Sequence, residues 1–115
     1  MQQGSIVVLP IPFTDLSSKK QRPCLILSNK NLETNQDVIV LALTSQSSAR
    51  ADDNVLEITN TDLATGTLPK TSYARCHKVF CLQKDLIRKS IGQLTPTMFQ
   101  KIHDKFMDLV QVEKS

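Results

Sequence analysis

The sequence has few of the residues on which cross-linked and metal-containing proteins depend. It contains three cysteines, two histidines and no tryptophan. Cys24, Cys76 and Cys81 are odd in number and form no Cys-x-x-Cys motif, which argues against a disulfide framework. His77 and His103 are not spaced as a metal-ligating pair, and a zinc site needs about four such donors. We therefore predict neither a structural metal nor a cofactor.

Long apolar runs are also missing. The longest covers residues 38–43, far short of the ~20 residues that a membrane-spanning helix needs. The first residues, Met1-Gln2-Gln3-Gly4, lack the basic start and the apolar stretch of a signal peptide. The sequence therefore predicts a cytoplasmic protein with no membrane partner.

The composition that remains suits one small domain. The chain has 115 residues, of which 40% are hydrophobic, so we expect one compact core and one domain over residues 1–115. The formal net charge of +3 is a mild basic bias, which permits a polyanionic partner without demonstrating one.

Apolar and β-branched segments predict five or six strands, at residues 5–9, 24–28, 37–43, 55–58, 72–82 and 90–94. The continuous apolar run at 37–43 is typical of a buried central strand. Pro10 and Pro12 are expected to end the first strand. Residues 14–21, 45–53 and 62–70 are expected to form loops.

The last part of the sequence changes to a helical period. Thr95 suits an N-cap, and Pro96 suits the first helical position. Apolar residues then recur every three or four positions and predict a helix of about four turns that packs on the sheet through Met98, Phe99, Ile102, Phe106, Leu109 and Val110. Strands followed by a terminal helix predict a mainly β (α+β) fold, a small and partly open barrel capped by that helix.

The longest predicted strand carries a candidate site, because strand side chains alternate between faces. Ala74, Cys76 and Phe80 would share a core face, and the other face would present Tyr73, Arg75 and His77. That row could stack a base, hold a phosphate and move a proton, or it could be an ordinary solvated face. Cys76 and His77 would point to opposite faces and not pair, so we predict a buried, inert Cys76 thiol.

Two further positions are candidates for binding phosphate. Arg22 precedes Pro23, which restricts the preceding backbone to an extended conformation, and a guanidinium presents a planar fork to phosphate. Arg22 could equally be a surface arginine beside two lysines. The hydroxyls of Thr44 and Ser45, at a strand end, can bind a phosphate oxygen or the backbone of a turn.

Taken together, the segments resemble the MazF/PemK family of toxin endoribonucleases, which includes Kid. The similar stretches follow in family order at residues 4–8 (GSIVV), 12–15 (PFTD), 21–28 (QRPCLILS), 37–45 (DVIVLALTS), 66–75 (GTLPKTSYAR) and 91–94 (IGQL). The resemblance covers nearly the whole chain. It implies an SH3-like barrel with a C-terminal helix, and a homodimer. It also implies cleavage of single-stranded RNA without a metal, and inhibition by a cognate antitoxin. DNA would be contacted only through that antitoxin.

The resemblance also implies roles for individual residues. The RNA 2′-hydroxyl would attack the adjacent phosphorus, giving a cyclic phosphate and a 5′-hydroxyl end. Arg22 is similar to the catalytic arginine, with an electrostatic role, and Thr44 to the threonine at the scissile phosphate. Ser45 and Arg75 match RNA-binding positions. We expect the RNA-binding set to comprise Lys20, Ser45, Ser72, Arg75 and Lys78, with Lys19 and Lys70 also attracting the RNA backbone.

The sequence departs from the family pattern at two positions. His77 stands where Kid-like members have an aspartate that is proposed as the base. An imidazole can take that role near neutral pH, so His77 is the predicted base, or else the site is altered or weakened. Phe80 stands where many members have an arginine, which would change RNA affinity or site preference.

A non-enzymatic function is the alternative. CcdB toxins share this type of barrel and poison DNA gyrase through the C-terminal helix, and a catalytically weakened member could bind nucleic acid without cutting it. A CcdB-like binder should lose toxicity through changes near residues 111–115 and tolerate Thr44→Ala. A nuclease should not tolerate Thr44→Ala.

Overall fold

A single antiparallel sheet organises the chain. The computed structural model describes residues 2–12, 19–32 and 36–114. Within them the strands are β1 (Ser5–Pro12), β2 (Lys19–Ile26), β3 (Asp37–Thr44), β4 (Val55–Ile58), β5 (Leu63–Gly66), β6 (Ser72–Gln83) and β7 (Lys89–Leu94), followed by the helix α1 (Pro96–Val110). Short 3₁₀ helices lie at Lys30–Leu32, Ser47–Ala51, Asn60–Asp62 and Lys84–Leu86.

The strand order is β4-β6-β3-β2-β1-β7-β5. The two end strands, β4 and β5, each have four residues, and the order places them at opposite edges, so the barrel is partly open. This confirms the mainly β fold with a terminal helix, with seven strands in the described chain rather than five or six. It also confirms residues 37–43 as a central strand, because β3 lies between β2 and β6.

Both faces of the central strands are buried. On the face under α1, hereafter the helix face, Leu25 and Leu41 face each other across the β2–β3 ladder. Their neighbours Cys24 and Ala42 also face each other, on the opposite face, where they join a second apolar cluster. Burial on both faces explains the continuous apolar run of β3, since an alternating pattern is expected only where one face meets water.

The helix begins as predicted. The Thr95 hydroxyl accepts a hydrogen bond from the Met98 N–H at 3.2 Å, and Pro96 occupies the first turn. Met98 and Ile102 are buried on the helix face of the sheet. The prediction was wrong for the last turn, where Leu109 and Val110 are 39% and 56% exposed, because the apolar stripe continues beyond the part of the helix that the sheet covers. No helix among the described residues has the length and apolar character needed to cross a bilayer.

The expectation that Pro10 and Pro12 end the first strand was wrong, because β1 continues through both prolines. β7 pairs with β1 only as far as Val8, so in the described chain the rest of β1 is paired on the β2 side alone. The Val8 carbonyl accepts a hydrogen bond from the Arg88 N–H, so the backbone polar groups of Val8 point towards β7. Backbone groups of alternate strand residues point the same way, so those of Pro10 and Pro12 point to that side too. Pro10 and Pro12 therefore lack an N–H only on the unpaired side, which is where a strand tolerates proline.

Two of the expected loops contain strand residues. β2 already begins at Lys19, inside the predicted 14–21 loop, because it pairs with the extended β1; residues 13–18 lie outside the described chain. β5 lies inside the predicted 62–70 loop and pairs with β7. Gly66 has a φ of +81°, and a Cβ there would overlap the backbone of Ile91 and Gly92. The close approach of β5 to β7 therefore requires glycine.

The alternation of β6 is interrupted. Leu41 is opposite Val79 and Leu43 is opposite Ala74, so one residue of β3 faces residues 75–78 of β6. This bulge changes which face the following residues meet. Ala74 and Cys76 are buried on the helix face, whereas Phe80 packs on the second cluster. The prediction that Phe80 shares a face with Ala74 and Cys76 was therefore wrong.

Candidate functional site

The pairing of β2 with β3 relates the positions of Arg22 and Thr44. Cys24 is opposite Ala42 in the last pair of the β2–β3 ladder, and Arg22 and Thr44 lie two residues beyond that pair, each on its own strand and towards the same end of the sheet. Both side chains are partly buried. The two positions that the sequence favoured separately therefore lie on adjacent strands, just past the end of the β2–β3 ladder.

The strand β1 supports Arg22 from the other side. Arg22 is opposite Leu9 in the β1–β2 ladder, and Lys20 is opposite Ile11. Leu9 and Ile11 are fully buried, so the apolar stem of Arg22 has an apolar neighbour while the guanidinium stays charged. The Cys24 thiol lies 3.8 Å from the Arg22 carbonyl oxygen. Lys20 is two residues from Arg22, so the two side chains lie on the same face of β2. Lys20 is exposed there.

Thr44 has the turn contact that its position predicts. Its hydroxyl oxygen accepts a hydrogen bond from the Gln46 N–H at 3.2 Å, which fixes the start of the following loop. The hydroxyl proton remains available for donation, since a threonine hydroxyl can accept and donate at once. Ser45, the next residue, is exposed.

Thr44 and Arg75 line the same pocket. It has a volume of about 270 Å³ and is bounded by β3, β4, β6 and the 3₁₀ helix Ser47–Ala51; the other lining residues are Gln46, Ser48, Ala49, Asp52 and Val55. Arg75 reaches it because it is opposite Val55 at the start of β4. The pocket thus combines a guanidinium with hydroxyl and amide groups, which can bind an oxyanion such as a phosphate, and it also contains the Asp52 carboxylate, which repels one.

His77 lies next to this pocket, because its side chain approaches Asp52, one of the residues that line it. The Nε2 atom of His77 is 3.7 Å from Oδ2 of Asp52, and the two side chains are 31% and 42% exposed. The other carboxylate oxygen, Oδ1, accepts from the Asn54 N–H at 2.8 Å. Sequence reasoning missed Asp52, because the contact joins two segments distant in the chain. The only local signal was the Asp-Asp-Asn stretch before β4, which is typical of an Asx turn.

The predicted row on β6 is not presented as expected. Tyr73 is only 4% exposed, opposite Thr44 and Glu57, so its ring is buried and does not lie on an open face with Arg75 and His77, as both interpretations of the row required. Ser72 is also buried, at 5% exposure, and its hydroxyl donates to the Lys70 carbonyl at 3.2 Å. Lys78 is partly exposed, within the bulge of β6.

Two of the three thiols are buried, and burial suppresses their ionisation. Burial raises the pKa of Cys24 to about 12. Burial raises the pKa of Cys76 to about 11; the carboxylate of Asp52 adds to the rise, and the Lys105 ammonium opposes it. Cys76 is thus a buried thiol held in its neutral form, as the sequence predicted, whereas Cys81 is exposed.

A larger pocket, of about 720 Å³, lies away from these residues. Ile26, Val38 and Ile87 contribute apolar surface to it, and Gln2, Asn29 and Lys30 contribute polar groups. It contains none of the predicted site residues, so the smaller pocket at Thr44 and Arg75 is the better candidate. Within residues 2–12, 19–32 and 36–114, no group of three or more His, Cys, Asp or Glu side chains is placed to hold a metal ion.

Comparisons with known proteins agree with this architecture. Residues 2–110 match the family model described as PemK-like, MazF-like toxin of type II toxin-antitoxin system. Comparison with curated proteins gives no significant match.

Solved structures with a similar fold span nearly the same length. An endoribonuclease in complex with its cognate antitoxin from Mycobacterial species superposes with a TM-score of 0.77 at 20% identity, over 100% of this chain and 99% of that chain. The Mycobacterium tuberculosis toxin MazF-mt6 has a TM-score of 0.72 at 16% identity, over 96% and 99%. A MazE-MazF structure from Deinococcus radiodurans has a TM-score of 0.71 at 15% identity, over 98% and 97%.

Proposed function

Since the chain belongs to the PemK-like, MazF-like toxins of type II toxin–antitoxin systems, we propose that it is an endoribonuclease that cuts single-stranded RNA. In the cell the substrate would be mRNA in the cytoplasm, and cleavage would stop translation and growth. The observation that carries this proposal is the pocket shared by Thr44 and Arg75, with Arg22 on the adjacent strand β2 and His77 in contact with Asp52 of the pocket lining.

The chemistry needs three contributions, and these residues can supply them. The 2′-hydroxyl attacks the adjacent phosphorus, which forms a 2′,3′-cyclic phosphate and releases a 5′-hydroxyl end. Arg22 stabilises the extra negative charge on the phosphoryl oxygens, because its guanidinium stays protonated throughout. Thr44 donates its hydroxyl proton to a phosphate oxygen, and His77 takes the 2′-hydroxyl proton as general base. None of these steps calls on a metal ion.

Binding of the RNA backbone is proposed for the basic and hydroxyl groups around the pocket. Arg75 lines the pocket, Lys20 and Ser45 are exposed near Arg22 and Thr44, and Lys78 is partly exposed. Ser72 is buried, so its contribution would pass through the turn at Lys70 that its hydroxyl holds.

The proposed partners are a cognate antitoxin and a second copy of the chain. The similar Mycobacterial and Deinococcus proteins are described in complexes with an antitoxin and with MazE, which supports an antitoxin partner here. DNA would be contacted only through that antitoxin.

The test is RNA cleavage in excess chelator. Purified protein should cut a long single-stranded RNA in EDTA and leave 2′,3′-cyclic phosphate and 5′-hydroxyl ends at mapped positions. Arg22→Ala should abolish cutting while circular dichroism and thermal unfolding stay close to wild type, and Lys101→Ala, an exposed change on α1, should cut normally. Intact RNA after incubation with the wild-type protein would refute the proposal.

A CcdB-like binding function is the second candidate, and one observation favours it. Beyond the packed part of α1, apolar side chains are exposed, with Val110 at 56% and Val112 at 87%. If this end binds a target such as gyrase, Val110→Ser with Val112→Ser should abolish growth inhibition while Thr44→Ala leaves it intact. The nuclease predicts the reverse for Thr44→Ala.

A further inference from the structure

The Asp52 carboxylate is held in one orientation by its own turn. Oδ1 accepts from the Asn54 N–H at 2.8 Å. The Asp52 backbone is also fixed, because its N–H donates to the Ala49 carbonyl and its own carbonyl accepts from Val55, each at 3.1 Å. One carboxylate oxygen is therefore engaged in the turn, and the other, Oδ2, faces His77.

The strand that carries His77 is tied to the same turn. The Cys76 N–H donates to the Asn54 carbonyl at 3.0 Å, so the residue before His77 is bonded to the turn that orients Asp52. The 3.7 Å approach of His77 Nε2 to Asp52 Oδ2 thus rests on backbone hydrogen bonds on both sides. Asp52 also lines the pocket with Thr44 and Arg75.

We propose that Asp52 is the positioning residue for His77 in RNA cleavage, an inference that rests on the proposed nuclease function. Asp52 Oδ2 lies 3.7 Å from Nε2, an ion-pair distance longer than a hydrogen bond, so the carboxylate acts by its charge on that side of the ring and leaves Nδ1 as the nitrogen that acts on RNA. The carboxylate fixes the ring orientation and stabilises the imidazolium that forms when the base takes a proton. Asp52 itself does not touch the reacting atoms.

The proton balance of this step is complete. The 2′-hydroxyl proton moves to Nδ1 of His77 as the bond from the 2′-oxygen to phosphorus forms. The bond from phosphorus to the 5′-oxygen breaks, and the leaving oxygen takes a proton from water. His77 then returns its proton to the hydroxide so formed, which regenerates the neutral imidazole and water.

Other charged groups also face this pair and belong to the pH dependence. Arg75, on β6, lines the pocket with Asp52. Lys105, on α1, acts electrostatically on Cys76, which is buried on the helix face. Glu57, on β4 opposite Tyr73, adds an exposed carboxylate to the same pair of strands. Asp52 is the carboxylate that reaches His77 at 3.7 Å, and Asp52→Asn removes that negative charge.

The experiment compares Asp52→Asn with a matched control. Asparagine keeps an oxygen for the Asn54 N–H but removes the negative charge, so the turn is retained. The chain's other histidine provides the control, because His103 Nδ1 is also 3.7 Å from a carboxylate oxygen, that of Asp104 on α1. The rate of RNA cleavage is measured from pH 5 to 9 for wild type, Asp52→Asn, Asp52→Glu, Asp104→Asn and His77→Ala, and NMR follows both imidazoles.

The expected result separates a positioning role from a structural one. Asp52→Asn lowers the plateau rate by about tenfold, the coupling typical of contacting side chains, and moves the acid limb of the profile and the His77 titration to lower pH. Asp52→Glu moves both back towards wild type, and in His77→Ala the acid limb is lost. Asp104→Asn changes only the His103 signals.

Two outcomes overturn different conclusions. If wild type cuts RNA and Asp52→Asn has an unmoved acid limb and an unmoved His77 titration, the role of Asp52 is refuted and the nuclease stands. If wild type does not cut RNA, the nuclease is refuted and the role of Asp52 falls with it.

Discussion

Arg22 on β2 and Thr44 on β3 each lie two residues beyond Cys24 and Ala42, the last pair of the ladder between the two strands. A guanidinium and a hydroxyl are thereby presented from adjacent strands at the same end of the sheet. Both side chains are carried by strands rather than by loops, which favours a fixed position for each of them.

Thr44→Val tests the hydroxyl that the pocket offers. Valine has nearly the same shape, so the core should be retained, but it cannot donate to a phosphate oxygen. We expect cleavage to fall by about 10²–10³-fold, the usual cost of one lost donor to a developing oxyanion. Thr44→Ser, which keeps the hydroxyl, should stay within a few-fold of wild type. Single-turnover kinetics on a short RNA measures both, and equal rates for Thr44→Val and wild type would contradict the role.

The salt dependence of binding tests the basic groups. Each phosphate contact to single-stranded nucleic acid contributes about −0.7 to the slope of log K against log salt concentration. We expect Arg75→Gln and Lys20→Gln each to make the slope shallower by about that amount. Fluorescence anisotropy between 50 and 200 mM KCl, with RNA lacking the attacking 2′-hydroxyl, measures it. Lys101→Gln, on α1 across the sheet, should leave the slope unchanged, and an equal effect there would show only a general loss of charge.

Gly66→Ala tests the approach of β5 to β7. The φ of +81° disfavours an L side chain, and the new Cβ would meet backbone rather than a movable side chain. We expect the free energy of unfolding to fall by about 1–3 kcal/mol. The value should lie near the top of this range, because the new Cβ would also overlap the backbone of Ile91 and Gly92. Urea denaturation gives the value. The exposed neighbour Thr67→Ala should change stability by no more than about 0.5 kcal/mol.

The buried thiols predict a loss of stability in alkali. The unfolded chain ionises its cysteines near pH 9.0, whereas the pKa of Cys24 is about 12 in the folded protein. The folded state therefore holds this proton more tightly, so its contribution is complete below pH 9 and is lost as pH rises towards 12. Urea denaturation at pH 8, 9.5 and 10.5 should show falling stability, with a weaker decline in Cys24→Ala. A parallel decline in both proteins would contradict this cause.

Cysteine labelling gives an independent test of the same burial. At pH 7.5 iodoacetamide should modify Cys81 rapidly, while Cys24 and Cys76 react only after denaturation, because alkylation needs an accessible thiolate. Peptide mass spectrometry locates the label. Modification of Cys76 in the native protein at the rate of Cys81 would show that it is not held in the core.

The fold was largely predictable because its strongest signals are local. The Thr95 cap and the apolar stripe through Met98 and Ile102 identified the helix from its own residues. The apolar run of β3 identified the central strand because it is short and rich in Val and Ile, which favours a buried strand over a buried helix. β5 was missed because its residues are mostly exposed and it is held by pairing with β7, a partner distant in sequence.

The site was predictable in part, for a related reason. Arg22 and Thr44 could be named from the order of motifs, although only the pairing of β2 with β3 shows that they lie at the same end of two adjacent strands. The orientation of β6 could not be predicted, because four of its residues face one residue of β3, and a bulge of this kind leaves no periodic trace in the sequence. The contact between Asp52 and His77 likewise depends on a turn that packs against a distant strand.

The prolines of β1 have a consequence for how other chains can bind. Past Val8 the outer edge of β1 carries Pro10 and Pro12 at the alternate positions whose N–H groups would face an incoming strand. A further strand would find carbonyl acceptors there but no donors, so the sheet resists extension by strand addition at this edge. A peptide that binds along this part of the protein must rely on side-chain contacts, and self-association through edge-to-edge aggregation is disfavoured by the same two residues.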